Sequence, residues 1–125
     1  MKEVIFTNSA PNAAGPYSQA IKAGNTLYLS GQIGLDPKTG KMAEGGIAEQ
    51  AAQAMKNLCA ILKSQGASVE NVVKTTVFLT DMANFQIVNA EYAKVFTKDF
   101  PARSCVAVKE LPLGALVEIE CIAVL

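Results

Sequence analysis

Two apolar, strand-like stretches near the C-terminus carry the side chains best suited to chemistry. The first contains Arg103 and Cys105, and the second contains Glu118 and Glu120. Successive side chains of a β-strand point to opposite faces, so Arg103 and Cys105 share one face of their strand, and Glu118 and Glu120 share one face of theirs. A guanidinium binds anions, a thiol can act as a nucleophile, and a carboxylate can hold water or move a proton.

Residues 103–108 and 117–124 are separated only by a short segment with Pro112 and Gly114, so the two strands can pair as a hairpin. A charged group in such apolar sequence is costly unless it is paired or used. Two interpretations remain open from the residues alone. Either Arg103 forms a structural ion pair and the glutamates face solvent on an edge strand, or these groups form a functional site.

The totals describe a folded chain with no net charge. A length of 125 residues predicts a single domain spanning residues 1–125. Half of the residues are hydrophobic and 18% are charged, which disfavours disorder. The 11 basic and 11 acidic residues cancel, which argues against a protein built mainly to bind nucleic acid.

The residues that are missing restrict the chemistry. The chain has no histidine, which excludes Ser-His and Cys-His nucleophile pairs and the commonest zinc ligand. Cys59, Cys105 and Cys121 are too scattered for a zinc site, and we expect no metal. Three widely spaced cysteines fit a reducing, cytoplasmic setting, and with no apolar run of membrane-spanning length we expect no membrane association. An acid–base group at neutral pH is then a carboxylate in an altered environment, or a Cys, Lys or Tyr.

The periodicity of apolar residues predicts the order β-β-β-α-β-α-β-β, an α+β fold with one mixed sheet and two helices on one face. The predicted strands are residues 3–6, 18–22, 26–30, 72–79, 103–108 and 117–124. The helix stripes, interpreted as core, are Ile47, Ala51, Ala54, Leu58, Ile61 and Leu62, and then Phe85, Val88, Tyr92, Val95 and Phe96. The second face of the sheet is also apolar, which predicts a homo-oligomer.

Five motifs together resemble the RidA (YjgF-type) family of imine deaminases. They occur in the family's order and span nearly the whole chain. The motifs are GPYSQA (15–20), SGQI (30–33), VKTTVFLTD (73–81), FPARSCV (100–106) and VEIECIAV (117–124).

The resemblance implies a chorismate-mutase-like fold and a homotrimer with a barrel-like core and active sites between subunits. It implies hydrolysis of reactive 2-imino acids and their enamine tautomers, such as 2-aminoacrylate, 2-iminopropanoate and 2-iminobutanoate. Pyridoxal-phosphate enzymes release these compounds, and the products are 2-keto acids and ammonia. The protein itself would need no cofactor.

The resemblance also implies roles for individual residues. Arg103 binds the substrate carboxylate and Glu118 positions the water, whereas Glu120 is interpreted as a solvated or structural glutamate. Cys105 binds substrate through its backbone N–H and compact side chain. The remaining implied contacts are an aromatic wall from Tyr17, a hydroxyl and a backbone amide from Ser30 and Gly31, and an amide near the cleft from Asn89.

Two other functions stay open. A non-catalytic trimer would use the same cleft to bind 2-keto acids or related small carboxylates, and it would need Arg103 but not Glu118. An RNA-directed ribonuclease or translation inhibitor is disfavoured by the zero net charge, the missing histidine and the lack of basic residues interleaved with aromatic ones.

Overall fold

The computed structural model of the chain describes residues 1–125, and the predicted order of strands and helices is confirmed. A short 3-10 turn precedes β4, α2 and β6. In chain order the elements are β1 (Lys2–Ile5), β2 (Ala20–Ala23), β3 (Thr26–Gln32), α1 (Ile47–Ser64), β4 (Val72–Leu79), α2 (Phe85–Ala93), β5 (Ala102–Ala107) and β6 (Val117–Val124).

One six-stranded sheet runs in the order β1-β2-β3-β6-β4-β5. All neighbours are antiparallel except β4 and β5, which are parallel. The prediction of a mixed sheet is therefore confirmed, but the predicted hairpin is wrong because β4 lies between β5 and β6. Parallel strands need a long crossover connection, and the segment containing α2 supplies it between β4 and β5.

The register across β4 fixes which residues of its two neighbours share a face. Thr75 pairs with Arg103 on one side and with Cys121 on the other, and Phe78 pairs with Glu118. Thr75 and Cys121 are buried. Glu118 is three residues before Cys121, an odd number, so its side chain points to the opposite face of the sheet.

The two helices cover one face of the sheet and enclose the core. The side of α1 that faces the sheet buries Ala51, Leu58 and Ile61, as its stripe predicted. No helix of the fold is both long and apolar enough to cross a membrane. The core residues of the strands with no exposed surface are Leu27, Val77, Leu79, Val117, Ile119 and Ala123.

The other face of the sheet carries exposed apolar side chains. Tyr28 is 49% exposed, and Val106 and Val124 are each 43% exposed. Glu118 and Glu120 lie on this same face, because they alternate with core residues of β6. Exposed apolar area of this kind is typical of a surface that contacts another protein chain.

Candidate active site

Arg103 lies on the helix-covered face, where α2 holds its guanidinium. Its Nη1 donates a hydrogen bond of 2.8 Å to Oδ1 of Asn89. The guanidinium carbon lies 4.8 Å from the ring centroid of Tyr92 and 5.7 Å from that of Phe85. Aromatic faces attract a cation at such distances. The side chain is thereby held by neutral groups from one helix.

No carboxylate neutralises Arg103 within the chain. The structure contains one ion pair, 2.8 Å between Lys94 and Glu91, on the surface of α2. Within one chain, this excludes the structural Arg103–glutamate pair that the sequence left open. Asn89 accepts from only one of the five guanidinium N–H donors, so the remaining donors are available to an anion such as a carboxylate.

A cleft of about 290 Å³ opens beside Arg103 and is lined by Asn89, Tyr92, Phe100, Pro101 and Arg103. Phe100 is 67% exposed at its edge. Sequence reasoning assigned Tyr92 to the core and did not single out Phe100. The available signal was the position of Tyr92 on the α2 stripe, one helical turn after Asn89.

Cys105 follows Arg103 on the same face of β5 and packs partly against the core. Burial raises the pKa of its thiol, and the nearby positive charge of Arg103 offsets part of this shift. The thiol is therefore mostly protonated near neutral pH, and a protonated thiol is a weak nucleophile.

A second cleft, of about 240 Å³, contains Tyr17, Gly31 and Glu118 among its lining residues. Glu118 passes directly over the backbone of β3. A Cβ atom built on Gly31 would lie 2.8 Å from Cδ of Glu118, closer than real Cβ contacts. The missing side chain at Gly31 thus makes room for the carboxylate, and the ladder between β3 and β6 shifts register next to it, between Leu29 and Gln32.

Glu118 is half-buried, and its pKa is raised above the ordinary value of 4.5. Burial is the main cause, because it disfavours the charged form, and repulsion by the Glu120 carboxylate adds to it. A carboxylate with a raised pKa is a stronger base than an ordinary one, so it is better able to take a proton from bound water.

The loop that carries Tyr17 is held by a buried glutamine. Gln19, 2% exposed, accepts from the Thr7 N–H at 2.7 Å and donates to the Pro11 carbonyl at 2.8 Å. The Ser30 hydroxyl donates to the Ser18 carbonyl at 2.6 Å. Ser30 therefore braces this loop, and its hydroxyl oxygen faces any ligand only as an acceptor.

The predicted site residues thus fall into two half-sites on opposite faces of the sheet. The anion half-site comprises Arg103, Asn89 and Cys105 with the ring of Tyr92. The water half-site comprises Glu118, Tyr17 and Gly31 with Ser30. With two strand spacings and three residues between the positions of Arg103 and Glu118, their Cα atoms are on the order of 14 Å apart. One chain does not bring the two half-sites together.

A larger cavity, of about 360 Å³, lies between α1 and α2 and contains none of the predicted residues. Its walls include Met55, Cys59 and Val95, and Lys94 at its rim is paired with Glu91. Lys56 and Lys63 also line it, but it contains neither Arg103 nor Glu118, so the two half-sites remain the candidate site. No group of three or more His, Cys, Asp or Glu side chains is placed to hold a metal ion.

Residues 7–125 match the family described as endoribonuclease L-PSP. A mouse protein named 2-iminobutanoate/2-iminopropanoate deaminase is 52% identical over 124 residues, which cover 99% of this chain and 92% of that protein. The crystal structure of RidA from the Antarctic bacterium Psychrobacter sp. PAMC 21119 is 44% identical, with a TM-score of 0.95 over 98% of this chain and 99% of that one. The crystal structure of E. coli TdcF with bound serine is 39% identical, with a TM-score of 0.94 over 98% of both chains.

Proposed function

The chain belongs to the RidA (YjgF) family, described as endoribonuclease L-PSP, and on this premise we propose that it is a 2-iminobutanoate/2-iminopropanoate deaminase. It hydrolyses reactive 2-imino acids and their enamine tautomers, released by pyridoxal-phosphate enzymes, to 2-keto acids and ammonia. The observation that carries the proposal is the guanidinium of Arg103, which faces a cleft without a carboxylate partner.

Arg103 binds the substrate carboxylate. A planar guanidinium matches a carboxylate through two parallel hydrogen bonds, which fix the orientation of the substrate as well as its position. The Asn89 amide and the Tyr92 ring hold the guanidinium before the substrate arrives. The related E. coli TdcF has been solved with bound serine, which is also a small molecule with a carboxylate.

Glu118 positions and activates the water. The oxygen of the water attacks the imine carbon while the carboxylate accepts a proton from that water. The imine nitrogen takes up a proton, which gives a carbinolamine. Glu118 then passes the hydroxyl proton to the amino nitrogen, the C–N bond breaks, ammonia leaves, and the carbonyl of the keto acid forms. The raised pKa makes Glu118 a stronger proton acceptor than an ordinary carboxylate, which suits this role.

The active protein in this proposal is a homotrimer with a barrel-like core, and each active site lies between two subunits. The separation of the half-sites supports this arrangement, because Arg103 and Glu118 meet only if different copies supply them. The exposed apolar side chains Tyr28, Val106 and Val124 on the uncovered sheet face give the copies a surface to bury.

Residues 1–125 act as a single domain in this proposal, and the setting is cytoplasmic. Cys59, Cys105 and Cys121 are all free thiols, and thiols persist where the surroundings are reducing.

The test couples a threonine or serine dehydratase to the purified protein and traps the remaining imine with semicarbazide. Wild type should speed the loss of trappable imine, Arg103→Ala should abolish the effect, and Glu118→Gln should reduce it strongly. If the assembled wild type accelerates neither substrate, the deaminase proposal is wrong.

The free guanidinium alone would also serve a non-catalytic binder of 2-keto acids, the second candidate. Such a binder would hold 2-oxobutanoate equally well in wild type and Glu118→Gln and would leave imine loss unchanged.

The description of the family as endoribonuclease L-PSP raises an RNA-directed role. Tight RNA binding that weakens steeply between two salt concentrations would support that role, and the zero net charge of the chain argues against it.

A further inference from the structure

Thr75 and Tyr92 form a buried hydroxyl pair directly behind Arg103. Their oxygen atoms lie 2.8 Å apart, and the side chains are 0% and 7% exposed, respectively. Thr75 is also the residue of β4 that pairs with Arg103 across the sheet. The ring of Tyr92 is therefore anchored to the strand next to Arg103 while its face contacts the guanidinium, 4.8 Å away.

We propose that Thr75 and Tyr92 are positioning residues for Arg103. The hydrogen bond between their hydroxyl groups fixes the Tyr92 ring, and the ring fixes the plane in which the guanidinium meets the substrate carboxylate. This inference rests on the proposed function, because it assigns these two residues to the anion half-site of the deaminase.

The other contacts of Arg103 do not fix the plane of its guanidinium, whereas the contact with Tyr92 can. Asn89 binds one N–H of the guanidinium and so limits its position, but a single hydrogen bond leaves rotation about that contact free. Phe85 is more distant, at 5.7 Å, and has no polar atom that could anchor its ring. Only the Tyr92 ring is both in closest aromatic contact and tied by a hydrogen bond to the sheet.

Packing alone would not require the hydroxyl pair. The Tyr92 ring already lies 4.6 Å from the ring of Phe96, centroid to centroid, and a phenylalanine would keep that contact. Each hydroxyl is buried, so it needs the other as its partner. The hydroxyl pair therefore specifies one orientation of the Tyr92 ring, whereas apolar side chains at these two positions would allow several orientations.

The experiment compares Thr75→Val, Tyr92→Phe and the double variant in the assembled protein. The readouts are the Kd for 2-oxobutanoate by calorimetry, kcat and KM in the coupled assay, and Tm. Each single variant should raise Kd and KM about threefold to tenfold, the effect of one lost hydrogen bond, and leave kcat within about twofold.

The double variant separates positioning from stability. A single substitution strands one buried hydroxyl and should lower Tm, whereas the double substitution removes both and should recover most of it. Kd should stay raised in the double variant, because the ring is still unanchored. If Kd returns to the wild-type value together with Tm, the pair is structural and the proposal is wrong.

Two reference variants separate a failure of the proposed function from a failure of the positioning inference. Arg103→Ala should lose 2-oxobutanoate binding by about 100-fold or more, and if it binds like wild type, the proposed function itself is wrong. If Arg103→Ala loses binding while both single variants bind like wild type, only the positioning inference is wrong. Ser64→Ala removes a hydroxyl hydrogen bond of 2.7 Å to Ile61 at the end of α1 and should keep the wild-type Kd.

Discussion

Glu118 lies so close over Gly31 that a methyl group at position 31 would come within 2.8 Å of its Cδ. Gly31→Ala should therefore displace the carboxylate. Since a shift of about 1 Å in a reacting group costs up to 100-fold, we expect kcat to fall about 10-fold to 100-fold. The neighbour is the flexible end of a side chain, so Tm should change little.

Gly34→Ala is the contrasting variant, because its Cβ would lie 2.7 Å from the backbone of Gln50 in α1. Because the backbone of a packed helix cannot move aside, this variant should have a clearly lower Tm. Steady-state kinetics and thermal unfolding of both variants measure the difference. Full activity in Gly31→Ala would show that Glu118 does not need its observed place.

Mixing two inactive variants tests whether Arg103 and Glu118 come from different chains. Trimers reassembled from equal amounts of Arg103→Ala and Glu118→Gln should contain both native groups in about a quarter of their sites, by random association. Activity should then recover to about a quarter of the wild-type value. Recovery that never exceeds the sum of the separate variants would place each site within one subunit.

Glu120→Gln should move the acid limb of the pH–rate profile. The ionised form of Glu118 accepts the proton from water, so activity rises as pH increases through its pKa. The Glu120 charge helps to raise that pKa, and removing the charge lowers it. The acid limb should shift to lower pH, with kcat at high pH nearly unchanged. A shift to higher pH, or none, would mean that Glu118 does not control the limb.

Val106→Lys tests the uncovered sheet face as the contact between subunits. A lysine there would be buried without a partner on assembly, which is costly, so the variant should be monomeric and inactive while keeping its secondary structure. Light scattering measures the assembly state, and circular dichroism measures the secondary structure. Ile87→Lys is a matched control, because Ile87 on α2 is also 43% exposed, and it should remain assembled and active. A wild type that is monomeric at micromolar concentration would refute the trimer.

Cys105→Ala should keep activity within about tenfold of wild type. Burial raises the pKa of the thiol, so little thiolate is present at neutral pH, and the proposed mechanism forms no bond to sulfur. Kinetics before and after treatment with iodoacetamide check this. Complete loss of activity in Cys105→Ala, with Tm and Arg103-dependent binding intact, would restore covalent catalysis by the thiol.

The sequence was sufficient to predict which side chains share a face of a strand, but not which strands pair with each other. Alternation correctly placed Glu118 with Glu120 and Arg103 with Cys105, because the period of a strand is local. Pairing is decided by tertiary packing, so a short connection wrongly suggested a hairpin between β5 and β6. The strand–helix–strand order of β4, α2 and β5 was the better signal, since it is typical of parallel neighbours.

The candidate site residues could be chosen by residue type, but their division between two faces of the sheet could not be predicted. Arg103 and Glu118 stood out as charges in apolar sequence, yet their location on opposite faces depends on where β4 lies. Tyr92 was assigned to the core and is indeed buried. Only the structure reveals that the same ring also contacts Arg103, because helical periodicity gives the direction of a side chain but not its partner.

The anion half-site is encoded in one continuous piece of sequence. Thr75, Phe85, Asn89, Tyr92 and Arg103 all belong to the β4-α2-β5 unit, whereas the water half-site joins residues near positions 17 and 31 to residue 118. A single exchanged block spanning residues 72–107 would therefore transfer every residue of the anion half-site from one relative to another. No block of similar length would transfer the water half-site, because its residues lie about 100 positions apart in the chain.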